Sequence, residues 1–204
     1  MAFFRVLATG LSRAGISPNA ISFMSIAFAV GAGLAFAATT HCEGWALRLC
    51  WFAAACFIQL RLIANMLDGM VAVEGGKGGP TGELWNEAPD RVADAAILIG
   101  AGFAAGSGPM LGFGAALAAV FVAYVRALGA SVGAVQIFIG PQAKPHRMFV
   151  LTLAAVVLAA VPEMRTRVGV EPLPLMEVAL SFVIAGCVVT AWRRLARIAR
   201  FLRR

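Results

Sequence analysis

The chain has 204 residues, of which 61% are hydrophobic and only 13% charged, with a mean hydropathy of +0.86. This excludes a water-soluble core and predicts one polytopic membrane domain over 1–204, with room for about six spans of ~20 residues each. The net charge of +7 does not mark a nucleic-acid binder, because six of the seventeen basic residues (Arg193, Arg194, Arg197, Arg200, Arg203 and Arg204) sit in the last twelve positions, behind an apolar run where they meet anionic lipid.

Residues 3–15 set Phe3, Phe4, Val6, Leu7 and Leu11 among Arg5 and Arg13, the pattern of a helix lying in the membrane interface, so 1–17 is read as an interfacial segment. No small-residue cleavage site precedes the first apolar run, so no secretory signal is expected. Ser17-Pro18-Asn19 opens the first span, about 19–39, with proline suited to a helix start. A second span covers about 45–72. It is longer than one crossing requires, which carries Asn65 and Asp68 beyond the hydrocarbon into a wet cavity. Within it Gln59 and Arg61 predict a polar interior face. Arg61 either pairs with an acid such as Asp68 or contacts substrate. The glycine-rich stretch 74–80 follows, with Lys77 at its centre; it serves either as a phosphate contact or as a hairpin between spans.

A third span, about 83–106, begins polar and turns apolar after Asp94. Pro89 inside it removes a backbone donor and kinks the helix or frees a carbonyl. The fourth, about 109–135, contains Arg126 and a Gly129/Gly133 pair that allows close helix contact. Gly140 to Arg147 form a compact basic loop with Lys144 and Arg147; it binds a phosphorylated group or follows the positive-inside rule. A fifth span, about 148–162, a loop containing Glu163, Arg165, Arg167 and Glu171, and a sixth span, about 174–192, complete the bundle. The tail from 193 spaces Leu195, Ile198 and Leu202 helically and is expected to lie on the bilayer. The predicted fold is all-α: six transmembrane helices over 18–192, an interfacial helix before them and a basic amphipathic helix, 193–204, after them. The four cysteines lack metal-ligand or C-x-x-C spacing and read as packing residues.

The chemistry is concentrated in residues 65–94, which hold Asp68, Glu74, Glu83, Glu87, Asp90 and Asp94, six of the ten acids. Ionisable groups beside membrane spans are costly unless paired, hydrated or metal-bound, so this cluster is the candidate site. Asn65 and Asp68, and Asn86, Asp90 and Asp94, each share one helix face. Oxygen-only ligands favour Mg²⁺, Mn²⁺ or Ca²⁺ and, for magnesium, a phosphate-bearing substrate.

The same residues resemble the signature of the CDP-alcohol phosphotransferases, membrane enzymes of phospholipid head-group synthesis. That signature reads Asp, two residues, Asp-Gly, two residues, Ala-Arg, about eight residues, Gly, three residues, Asp, three residues, Asp. Here the frame is Asn65, Asp68-Gly69, Ala72-Val73, Gly82, Asn86 and Asp90, without a gap. Two aspartates are replaced by Asn65 and Asn86 and the arginine by Val73, so a weaker or single-metal site is expected, with Glu83, Glu87 or Asp94 able to restore charge. Pro18-Asn19 with Ser22 one turn on also resembles the family.

The resemblance implies a transferase that moves a phosphatidyl or related group from a CDP-linked lipid donor, CDP-diacylglycerol, to an alcohol acceptor and releases CMP. It implies Mg²⁺ or Mn²⁺ on Asn65, Asp68, Asn86 and Asp90, with Asp90 as base. The nucleotide is expected near Asp68, Gly69, Ala72 and Gly82, and a phosphorylated acceptor near Lys77, Arg126, Lys144 and Arg147. A homodimer in the lipid bilayer is among the implications, since related proteins commonly pair. Near the span ends, twelve Lys and Arg fall on one side against three on the other, which sets both termini and the site towards the cytoplasm in a cell membrane. A pseudoenzyme of the same fold, a small transporter, and acids that merely hydrate helix ends are the competing readings.

Overall fold

The computed structural model describes residues 2–74, 82–134, 138–167 and 172–203. These form seven helices: α1 (Ala2–Arg13), α2 (Pro18–Ala38), α3 (Gly44–Glu74), α4 (Gly82–Gly102), α5 (Pro109–Ser131), α6 (Lys144–Ala160) and α7 (Leu175–Leu202). Local chemistry sets several of the boundaries. The Ser17 side chain accepts a hydrogen bond from the Ala20 amide at 3.2 Å, satisfying a free N–H at the start of α2, and Pro18 supplies the first helical φ. The long α3 contains no proline, and after its first residue, Gly44, its one glycine is near its end, at Gly69, so nothing breaks it.

The six helices α2 to α7 close a ring: α2 packs on α3, α3 on α6, α6 on α7, α7 on α5, α5 on α4, and α4 back on α2. Inside the ring lies a continuous apolar core running from Phe36 and Trp51 through Ile97, Leu151 and Met176 to Val183. Large apolar side chains such as Leu34, Phe52, Leu117 and Val188 are exposed on its outside, as expected where the solvent is lipid. Among the described residues, α2, α3 over Gly44–Val71, α5 and α7 are long and apolar enough to cross a membrane. The polar first half of α4 and the 17 residues of α6 set those two apart.

Two crossings need glycine. A Cβ on Gly100 of α4 would stand 2.2 Å from the Gly33 Cα of α2, and one on Gly102 would stand 2.6 Å from the Gly112 Cα of α5. Backbone meets backbone there, so no side chain can move aside. Gly100→Leu is therefore expected to destabilise the bundle by about 3 kcal/mol or more, read as a lower thermal midpoint in detergent. Gly10→Ala, where a Cβ meets nothing within 4 Å, should leave the midpoint unchanged or slightly raised.

The structure departs from the sequence expectation in three places. Gly129 does pack closely, since a Cβ there would meet Ile198 at 2.9 Å, but Gly133 has φ +79° and no near neighbour. It ends α5 in a left-handed turn instead of forming a packing pair with Gly129. The tail is not a separate helix: no glycine or proline interrupts Trp192 to Leu202, so α7 runs straight through. The segment before α7 contains a short antiparallel hairpin, Arg165–Arg167 with Pro172–Pro174, where a plain loop was expected. At the N-terminus α1 packs on α3, with Ala8 buried against Ala64, Leu67 and Val71 while Val6 and Leu7 stay exposed.

Candidate active site

The last two turns of α3 and the first half of α4 carry the acidic frame, and both meet the N-terminus of α6. Asn65 and Asp68 lie one turn apart on α3, Asp90 and Asp94 one turn apart on α4, and all three aspartates are buried. α4 runs through Pro89 as a single helix. Asp68 accepts from the Ser22 hydroxyl at 2.7 Å and from the Gly69 amide at 2.6 Å, so α2 and α3 together hold its carboxylate.

Asp90 and Asp94 are held by cations. Arg61, one turn before Asn65 and fully buried, donates from one nitrogen to Asp90 Oδ1 at 3.1 Å and to Asp94 Oδ1 at 2.7 Å. Asp94 Oδ2 accepts from Arg147 at 2.9 Å. Lys144 Nζ donates to Asn65 Oδ1 at 2.8 Å and also to Asp90 Oδ2, so a single ammonium ties α3 to α4. Arg91 stands 3.7 Å from Asp90, and Glu87 pairs with Arg91 at 3.2 Å and with Arg126. Lys144 opens α6, ahead of the segment read as crossing the membrane, and burial pushes its ammonium below the usual lysine range. Arg61 pushes the same way and Asp90 opposes both.

The Lys144 position is built into the fold. Gly140 has φ +128°, and a Cβ there would sit 2.4 Å from Thr190 of α7. Thr190 in turn accepts from the Gln142 amide at 3.0 Å, and the Gln142 carbonyl accepts from Arg147 at 2.8 Å. The loop is thereby pinned to α7 just before Lys144. Above it lies a cavity of about 290 Å³ whose wall includes Asn65, Asp90, Arg126, Lys144, Arg147 and Arg194.

Of the sequence-predicted residues, Asn65, Asp90, Lys144 and Arg147 meet in one network with Asp94, and Arg126 joins through Glu87. Gly69 borders open space, with nothing within 4 Å of a Cβ placed there, as does Gly82. Lys77 and the side chains of Ala72, Glu83 and Asn86 lie outside the described residues. Of the two readings of Arg61, pairing with an acid or contact with substrate, the structure shows pairing, with Asp90 and Asp94 and not with the Asp68 named as the example. Arg194, counted with the tail, is buried and donates to the carbonyls of Ile139 and Val122, each at 3.1 Å. The spacing of Cys187, Ala191, Arg194 and Ile198 by four, three and four puts Arg194 on the buried stripe of α7, a signal present in the sequence.

Among the described residues, no group of three or more Asp, Glu, His or Cys side chains could hold a metal ion. Asn65 and Asp90, the two frame positions whose side chains converge, meet on an ammonium. The buried carboxylates of Asp90 and Asp94 are engaged by Arg61, Lys144 and Arg147, and Asp68 by Ser22 and the Gly69 amide, so the donor set among the described residues, as arranged, does not fit a divalent ion.

No family model matches the chain, and no curated relative matches it. Solved structures of phosphatidylinositol phosphate synthase from Mycobacterium tuberculosis do. The form with CDP-DAG bound has a TM-score of 0.78 at 21% identity, covering 97% of this chain and 94% of that one. The form in complex with manganese and citrate has a TM-score of 0.76 at 22% identity, covering 96% and 88%, and the apo form 0.71 at 21%, covering 93% of each. The all-helical bundle described here thus has the fold of that synthase.

Proposed function

We propose that this protein is an integral-membrane CDP-alcohol phosphotransferase of phospholipid synthesis, moving a phosphatidyl or related substituted phosphate group from a CDP-linked lipid to an alcohol. The observation that carries the reading is the convergence of the α3 and α4 ends of the signature frame, through Asn65 and Asp90, beneath a cavity walled by five basic side chains, Arg91, Arg126, Lys144, Arg147 and Arg194. The shared fold supports it, since one of the similar structures holds CDP-DAG. All six ring helices are taken as spans of one membrane domain, because α4 and α6 sit between helices that are themselves long and apolar enough to cross. The charge bias of the loops puts both termini and the site at the cytoplasmic face of the cell membrane.

In this reading the cytidine end of CDP-diacylglycerol rests on the open surface at Gly69, beside Asp68, with Ala72 and Gly82 completing it. A phosphorylated alcohol enters the cavity, its phosphate facing Arg126, Lys144, Arg147 and Arg194, which suit a dianion better than a neutral polyol. The acceptor oxygen bonds to the phosphatidyl phosphorus as the bond from that phosphorus to the CMP oxygen breaks. CMP leaves with the electron pair, and Asp90, released from Lys144, takes the acceptor proton. The cations steady the charge that builds on the phosphates. A divalent ion, Mg²⁺ or Mn²⁺, is the alternative occupant of the Lys144 position, since manganese is present in one similar structure.

A second reading, binding of the CDP-lipid without turnover, draws on the engagement of both Asp90 oxygens by cations. The two separate in one assay, in which purified protein is given CDP-diacylglycerol and a panel of free and phosphorylated alcohols, and CMP is measured. The transferase reading expects CMP that depends on a phosphorylated alcohol. Saturable CDP-lipid binding with no CMP from any acceptor supports the second reading, and absence of both overturns the two together.

A further inference from the structure

Resting on the transferase reading, the geometry points to Lys144 as a built-in cation that closes the α3–α4 position in place of a divalent ion, so that the nucleotide diphosphate binds without metal. Three observations carry this. The Lys144 ammonium bonds to Asn65 on α3 and to Asp90 on α4, the two frame positions that face each other across the site. Asn65 contributes an amide oxygen with no charge, so the pair it forms with Asp90 carries a single negative charge, which suits one ammonium and leaves a divalent ion under-neutralised. Lys144 is also delivered from a fixed direction, because Gly140 and Gln142 lock the preceding loop onto Thr190.

The surroundings reinforce the assignment. Among the described residues, the charged groups around Lys144 are Asp90 opposite it, Arg61 and Asp94 behind Asp90, Arg91 beside it on α4, Arg147 one turn on along α6, Asp68 on α3, and Glu87, Arg126 and Arg194 across the cavity. Arg61 and Arg147 already hold Asp94, so a divalent ion at Asp90 would sit among three fixed cations. Arg61 Nε and Nη1 and Arg147 Nε are buried without a partner among the described residues, so the positive charge behind Asp90 is not fully matched by the protein's own acceptors. A diphosphate entering over Gly69 meets the Lys144 ammonium at the point where the two helices meet.

The test uses the full chain in detergent, with manganese and CDP as probes. Manganese binding is read by electron paramagnetic resonance and CDP binding by calorimetry, with and without a chelator. The wild type is expected to take up no stoichiometric manganese and to bind CDP equally in both conditions. Lys144→Gln should weaken chelator-resistant CDP binding by about tenfold or more, the loss of one charge-assisted contact. Lys144→Gln combined with Asn65→Asp should take up one manganese per chain and make CDP binding depend on it. Size-exclusion profiles confirm that the variants fold, and Lys144→Met, which keeps the stem, serves as the second substitution.

Stoichiometric manganese in the wild type, with CDP binding lost on chelation, overturns the assignment. If CDP binds in no condition, the transferase reading falls, and the manganese titration still decides the role of Lys144. Uptake only in the double variant upholds it, and uptake in the wild type overturns it.

Discussion

On the proposed transferase reading, Asp90→Asn is expected to lower CMP release from CDP-diacylglycerol by about a hundredfold to ten-thousandfold, the range for removal of a positioned proton acceptor. Asp90 is the frame acid that reaches the basic cavity, and its carboxylate joins α4 to Arg61, Arg91 and Lys144. The amide is nearly the same size and still accepts from Arg61, so the fold should survive while the base is lost. The pattern that marks a chemical role is a fall in kcat with little change in the affinity for CDP-lipid. An equal fall in affinity, with kcat preserved, would make Asp90 a binding residue and return the proton to another group.

Asp94→Ala acts on stability instead. Arg61 and Arg147, both buried, converge on its two oxygens at 2.7 and 2.9 Å. Truncation leaves two guanidinium groups facing each other without the carboxylate between them, and removing one partner of a buried pair costs about 3 to 5 kcal/mol. For a chain of this length that amounts to a fall of roughly 10 °C in the thermal midpoint. Arg91→Ala removes only part-exposed pairs to Glu87 and Asp90, contacts worth about 1 kcal/mol or less, and should move the midpoint far less. A similar loss in both variants would mean that the Asp94 bridge contributes no more than a surface pair.

Much of this arrangement was legible in the chain because membrane helices leave strong signals. Apolar runs of about 20 residues fix the helices to within a few positions. The spacing of Asn65, Asp68 and Asp90 identifies the two helix ends that meet. Cation partners were less legible, since pairing depends on how each helix is rotated in the ring. Arg61 reaches Asp90 and Asp94 on α4 because α3 turns its buried face that way, and the sequence could say only that it pairs with an acid or meets substrate. Arg194 was hidden by the arginines around it, which share its charge and not its face. Lys144 was read as an acceptor-phosphate ligand, and it does wall that cavity. Its bonds to Asn65 and Asp90 follow from the locked loop, whose anchor, Gly140 against Thr190, is a contact across 50 residues that periodicity does not report. The continuity of α7 into the basic tail follows from the absence of any helix breaker, outweighed in the sequence reading by the change from apolar to basic composition.

The most direct measurement is an experimental structure of the protein with CDP-diacylglycerol. The account predicts the diphosphate between the ends of α3 and α4, over Gly69, with Asp68 and Asp90 facing it and Lys144 within hydrogen-bonding distance of a phosphate oxygen. A diphosphate bound elsewhere on the ring, with Lys144 still clamped between Asn65 and Asp90, would contradict it.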